Sequence, residues 1–379
     1  MKFANGWDSE EWFYKKFIEP SQHLLTNHSY YVDSGGMLDF LNQFDPKSIN
    51  KKNIVFFIIE HDCSDDNSFV QNGPTTLQRL KQLVLDNPGQ HFWIYCPSIN
   101  IEQQFNLPNL TIIHWADLVF THPGIRYATV LPQREKNFAT EKHWISLSHN
   151  PRIPRYISAM YLLGQNLDAT GTITLDPNEL ITEHESWHHY LYYWKFNKRT
   201  EIFKIENTFP ILEQGFARIK NLDGFQLFQY KPSFKYNHEN FNDALKGMYK
   251  NTFVEIINET IVMQPTGAIT EKYINSVYGY NLPIILSVAG TVKYLRSIGF
   301  NMFDDVIDHS YDLIEHPLER TIAAIKLNLP LLRNQNLARR AWEHSVSKMD
   351  QNLELAKELE KNIVVKFQHR LIELNKQLG

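Results

Sequence analysis

Short apolar runs bounded by polar turns recur along this chain, and most are too brief for anything but a strand. In the first third, Tyr30–Asp33, Asn53–Glu60 (NIVFFIIE), Phe92–Tyr95 and Leu110–His114 read as strands. Thr75–Leu85 places Leu77, Leu80, Leu83 and Val84 on one face at helical spacing. Periodicity fades over Phe120–Lys142, which carries Pro123, Gly124 and Pro132 and reads as a connection. A second alternation follows. His143–Leu147 is a strand, Arg155 to Gly164 a helix, and Gly171–Leu175 a strand. Asn237–Lys250 is a helix leading into a strand at Phe253–Ile257. Thr270 caps a helix from Glu271, and Pro283–Ser287 is the next strand. Leu295–Phe303 reads as a turn through Gly299, and Thr321–Leu332 as a helix. From Asn334 to Leu378 the apolar positions Leu353, Ala356, Leu359, Ile363, Phe367, Leu371 and Leu374 fall three or four apart. That spacing predicts one long amphipathic helix or a helical hairpin, which closes an apolar groove on the body or pairs with a second copy.

Strands alternating with helices predict an α/β protein with parallel sheets. At 379 residues one core is too small, so two Rossmann-like domains and an extension are expected. The reading divides the chain at 1–122, a linker over 123–142, 143–332, and the helical extension 333–379. A formal charge of −4 gives no global attraction to nucleic acid. The 24 Phe, 18 Tyr and 8 Trp suit large cores and stacking surfaces alike. Only Cys63 and Cys96 are present, which predicts reduced structural thiols rather than a disulfide framework. The start, MKFANGWDSEEW, lacks an apolar signal core, and no uncharged run approaches the ~20 residues of a membrane span. A soluble, cytoplasmic protein is expected, in the host cytoplasm if the chain is viral.

The chemistry is expected where strands give way to helices. In α/β units ligands bind beyond the carboxyl ends of strands, and N–H groups at helix starts meet phosphate. Glu259 follows one strand, and Thr270, Glu271 and Lys272 open the helix after it. A carboxylate there can hold ribose hydroxyls and a lysine a diphosphate. Asn150, Arg152 and Arg155 stand between the His143–Leu147 strand and its helix, and guanidinium forks suit a diphosphate too. In the first domain His61-Asp62 ends a strand, and Asp62 is the carboxylate assigned as general base toward an acceptor hydroxyl. His184-Glu185-Ser186-Trp187-His188 matches H-E-x-x-H, which on a helix holds zinc beside a glutamate base. Among 16 histidines such a match arises readily by chance, and neither Glu201 nor Glu206 is placed as a third ligand by its spacing.

The succession of a strand, Glu259, a loop, Ile269-Thr270-Glu271-Lys272, a helix and Pro283 resembles the donor-binding motif of fucosyltransferase-like enzymes. The tail Gly299-Phe300, Phe303, Ser310-Tyr311-Asp312 and Arg320 is similar to a pattern in related glycosyltransferases of phages and large viruses, as are Asn150, Arg152 and Arg155. The chain departs from the fucosyltransferase pattern at Asn258-Glu259, where Glu-Asn is usual. The resemblance implies two facing Rossmann-like domains of the GT-B kind. It implies a nucleotide-sugar co-substrate, inversion at the anomeric carbon, and a glycan or a hydroxymethylated DNA base as acceptor; no D-x-D motif stands where a metal would be needed, so a metal-independent mechanism without a further cofactor is expected. By the resemblance Glu259 holds the donor ribose and Lys272 the diphosphate. A zinc metallohydrolase and a non-catalytic scaffold built on the C-terminal helix are the alternatives.

Overall fold

The computed structural model describes residues 2–3, 14–24, 29–33, 53–58, 76–96, 99–100, 105–114, 134–139, 141–148, 153–175, 208–221, 247–259, 262, 267 and 269–378. They fall into two compact units. One comprises 1–126, 264–271 and 356–379, the other 127–263 and 272–355.

Among the described residues the first unit is built on five parallel strands: β1 (Lys2–Phe3), β2 (Ser29–Asp33), β3 (Asn53–Ile58), β4 (His91–Cys96) and β5 (Leu110–His114). They lie side by side in chain order. Alternation decides which residues meet. Ile54, Phe56, Phe92, Ile94 and Cys96 point to one face and pack on Leu80, Leu83 and Val84 of α1 (Thr76–Asp86). Cys96 is buried inside that core, while Cys63 lies outside the described residues.

The second unit contains four parallel strands in the order β7-β6-β8-β9. β6 is Trp144–Leu147, β7 Gly171–Ile173, β8 Val254–Asn258 and β9 Leu282–Leu286. Between β6 and β7 runs α2 (Ile153–Gly164), and α3 (Phe209–Asn221) precedes β8. The helix α4 (Glu271–Gly279) joins β8 to β9. After β9 come α5 (Thr291–Ser297), α6 (Pro317–Leu327), α7 (Leu329–Arg333) and α8 (Gln335–Leu378). All residues of β8 and β9 are buried, so their near-continuous apolar runs are those of a sheet covered on both faces. α2 and α3 approach closely through Gly164 and Gly215. A Cβ on either would collide with backbone of the other helix, at Ile211 O and Met160 O.

The expected α/β class with parallel sheets and a long C-terminal helix is therefore found. Two elements differ from the reading. α5 occupies part of what reads as a turn. The single helix expected over Thr321–Leu332 starts earlier, at Pro317, and breaks at Asn328 into α6 and α7.

α8 is one continuous helix of 44 residues, not a hairpin. Residues up to Leu355 belong to the second unit and those from Ala356 to the first. Its apolar stripe is buried within the chain, with Ile363, Phe367 and Leu371 at 0% exposure. In the first unit Phe367 meets Phe17 edge-on at 5.5 Å, and Arg370 Nη1 donates to His114 O at 2.9 Å. The stripe thus packs on its own chain. Phe367→Ala is expected to cost about 3–5 kcal/mol, read as a lower urea midpoint.

Candidate functional site

Strand order locates the crevice. In the first unit the described strands advance in one direction, so no reversal interrupts them. In the second, the chain steps from β6 outward to β7 on one side, and from β8 outward to β9 on the other. Right-handed crossovers then put α2 and α4 on opposite faces of the sheet. β6 and β8 are neighbours, with Ser146 opposite Ile256 and Leu147 opposite Ile257, and their chains leave in opposite directions. This is a topological switch point, where open α/β sheets form a ligand crevice beyond the strand ends.

The sequence-predicted residues are distributed around that edge. Because α2 and α4 each join parallel strands, both helices start at the carboxyl end of the sheet. Arg155 sits in the first turn of α2 and is 5% exposed. Glu259 directly follows β8 and is 1% exposed, and its N–H donates to Leu286 O at 3.0 Å, which aligns the ends of β8 and β9. Thr270 is buried just before α4, Glu271 is its first residue, and half-buried Lys272 its second. Asn150, Arg152, Asp62 and the whole His184–His188 motif lie outside the described residues.

Hydrogen bonds knit the edge from side to side. Asn258 Nδ2 donates to Ser146 Oγ at 2.8 Å, joining β8 to β6. Beyond β7, Thr174 Oγ1 accepts from Ser148 N at 2.6 Å and donates to Ser148 O at 3.0 Å. Arg320, 2% exposed on α6, reaches back to the loops. Its Nε donates to Ser287 O at 2.7 Å, one Nη to Ile314 O and Glu315 O, and the other to Val262 O at 3.0 Å. Burial lowers its pKa to about 10, so it stays cationic at neutral pH.

The tail pattern has a structural explanation of its own. Asp312 accepts from the N–H groups of Val292 at 3.1 Å and Lys293 at 3.0 Å, which closes the start of α5 with a carboxylate. Tyr311 Oη accepts from Ile285 N at 2.9 Å inside β9, while Phe300 and Phe303 are core residues. Gly299 adopts φ +105°, which a side chain rarely tolerates. Asp312 and Arg320 thus shape the loops after β9, and α5 offers no open helix start to an anion.

A cavity of about 600 Å³ lies between α5 and residues 304–313; Ser310 and Asp312 of the tail pattern line it, and none of the expected donor-site residues does. Its acids are already engaged. Asp304 pairs with Arg296 at 2.7 Å, and Asp305 meets Lys348 at 2.6 Å and His344 at 2.9 Å. The Ser310 hydroxyl and N–H hold Asp308, at 2.6 and 2.9 Å, and keep its pKa low. The Lys348 ammonium does the same for Asp305.

A buried polar cluster went unread. Lys136 Nζ donates to Tyr249 O at 2.5 Å, Gly279 O at 2.6 Å and Asn281 Oδ1 at 2.7 Å. Glu255, on β8, accepts from Tyr249 Oη at 3.0 Å. Burial pushes the Glu255 carboxyl up to about 8, and the charge of Glu259 adds to the shift. No sequence signal marks this lysine, which stands in an unpatterned stretch between Glu135 and Asn137.

Among the described residues no group of three or more His, Cys, Asp or Glu is placed to hold a metal ion. No described helix is long and apolar enough to cross a membrane. No family model matches the chain, and no curated protein matches it. A solved structure of a TarM mutant of S. aureus, in complex with Fondaparinux, alpha-GlcNAc-glycerol and UDP, is similar at 11% identity and a TM-score of 0.33. That similarity covers 87% of this chain and 55% of that one, so this chain spans just over half of its length.

Proposed function

We propose that this chain is a glycosyltransferase that moves a sugar from a nucleotide-sugar donor to a hydroxyl acceptor. The observation that carries the reading is the strand reversal between β6 and β8, which sets the start of α2, with Arg155, and Glu259 at one edge of one sheet. A diphosphate needs cations and N–H donors, and a ribose needs a carboxylate. Arg155 and Lys272, with Asn150 and Arg152 from the segment before α2 and Thr270 just before α4, would take the diphosphate, and Glu271 would belong to the same donor-binding set without contacting it. Glu259 would take the ribose hydroxyls. As the sugar–phosphate bond breaks, negative charge grows on the leaving diphosphate, and fixed cations stabilise it most at that moment.

The finer reading is a GT-B enzyme with the first unit as the acceptor half. Asp62 would remove the acceptor proton, inversion would follow, and no metal would be required. A glycan is the favoured acceptor and a hydroxymethylated DNA base the second. Thermal denaturation against a panel of UDP-, GDP- and other activated sugars tests the donor assignment. One nucleotide sugar is expected to raise the melting temperature in a saturable manner, because a ligand that binds only the folded state stabilises it by mass action. A flat response across the panel would sink the proposal.

A further inference from the structure

We infer that Thr174 and Asn258 are positioning residues for the diphosphate site, a role that rests on the donor reading proposed above. Between them they hold the last residues of β6 from both sides. Thr174 N donates to Ser146 O at 2.9 Å, and its hydroxyl clasps the N–H and C=O of Ser148. Asn258 holds the Ser146 hydroxyl from the β8 side. Ser146, Thr174 and Asn258 are 2%, 6% and 2% exposed, so these bonds are shielded from water. Ser148 is the last described residue before α2, and Arg155 stands in the first turn of that helix. The direction in which the chain leaves β6 is therefore set by two side chains that make no charge contact of their own.

The Asn258 amide carries a second sign. Its nitrogen is committed to Ser146, while its Oδ1 is buried with no hydrogen-bond partner among the described residues. A buried carbonyl oxygen left this way is costly in a merely structural asparagine. Asn258 is the last residue of β8, at the switch point and directly before Glu259. The departure at Asn258-Glu259 then has a physical meaning: the amide sets the strand end, and the carboxylate follows it.

The test measures binding of inorganic pyrophosphate by calorimetry, with melting temperature recorded for every variant. Thr174→Val and Asn258→Ala are expected to weaken binding roughly tenfold or more. Thr174→Ser keeps the hydroxyl and is expected to bind like wild type. Thr170→Val is the stability control. Thr170 lies at the opposite end of β7, where its hydroxyl donates to Leu332 O at 2.8 Å and accepts from Trp144 Nε1 at 3.1 Å. That variant is expected to melt lower while binding pyrophosphate normally, a separation that a purely structural role for Thr174 would not give. If wild type binds and Thr174→Val and Asn258→Ala bind equally well, the positioning role is overturned and the donor site stands. If wild type binds neither pyrophosphate nor any nucleotide sugar, both fall.

Discussion

Lys136→Met is expected to destabilise the second unit by about 3–5 kcal/mol, because three buried oxygens lose the donor they share, at about 1–3 kcal/mol each. A typical domain is stable by only about 5–15 kcal/mol, so much of the unit's stability rides on one ammonium. The reason lies in what it holds. Tyr249 O and Gly279 O are carbonyls at the ends of the helical turn 247–250 and of α4, where a helix presents unpaired acceptors and partial negative charge. Asn281 supplies a third oxygen and is itself tied to Thr252 at 3.1 Å. Methionine fills the space and leaves every one of these oxygens without its donor. Urea unfolding of the variant should show a lower midpoint with an unchanged slope, and a midpoint equal to wild type would refute the assignment. Burial works against the ammonium and lowers its pKa, while the charge of Glu255 opposes that shift.

Glu255 makes the same region pH-sensitive. Its carboxyl titrates at about 8 in the folded chain, against 4.5 when exposed. Between those values the folded state keeps a proton that the unfolded state has released. Stability from this group is therefore complete at the acidic end of the window and declines as pH rises through it. Glu255→Gln, which imitates the protonated form, should flatten the decline. Unfolding curves taken at both ends of the window check this, and an equally steep decline in the variant would contradict it.

Much of the second sheet was legible because its strands are brief, β-branched and buried on both faces. Val254–Asn258 and Leu282–Leu286 stand out as apolar runs whatever surrounds them. The helix α5 was not legible. It has seven residues, TVKYLRS, and its start is capped by Asp312, twenty positions downstream. Pro317 did mark the true start of α6, since proline favours the first helical turn, but the apolar pattern from Thr321 drew attention away from it. For the site, sequence gave the strand-to-helix junctions of Arg155 and Glu259, and could not give the strand order. The centre of the order β7-β6-β8-β9 is a fact of pairing between residues more than a hundred positions apart, such as Ser146 and Ile256. Lys136 lay beyond reach for the same reason. Two of its three partners are backbone carbonyls, which carry no sequence identity.

Arg155→Ala is expected to lower kcat/KM for glycosyl transfer by about two to three orders of magnitude, the usual loss when one preorganised donor to a developing anion is removed. Its setting is what singles it out from other arginines. A cation in the first turn of a helix opposes the positive end of the helix dipole, and burial to 5% exposure removes most of its hydration. A diphosphate in the site would offset both costs, because the dipole and the guanidinium would then act on the same anion. The transition state carries more charge on that diphosphate than the bound donor does, so the loss should appear in kcat as well as in KM. Arg155→Lys should recover only part of the rate, since an ammonium cannot make the two parallel bonds of a guanidinium fork. Steady-state kinetics with the nucleotide sugar that raises the melting temperature would measure all three proteins. Wild-type turnover by a well-folded Arg155→Ala protein would remove the guanidinium from the reaction and move the diphosphate away from the β6–β8 crevice.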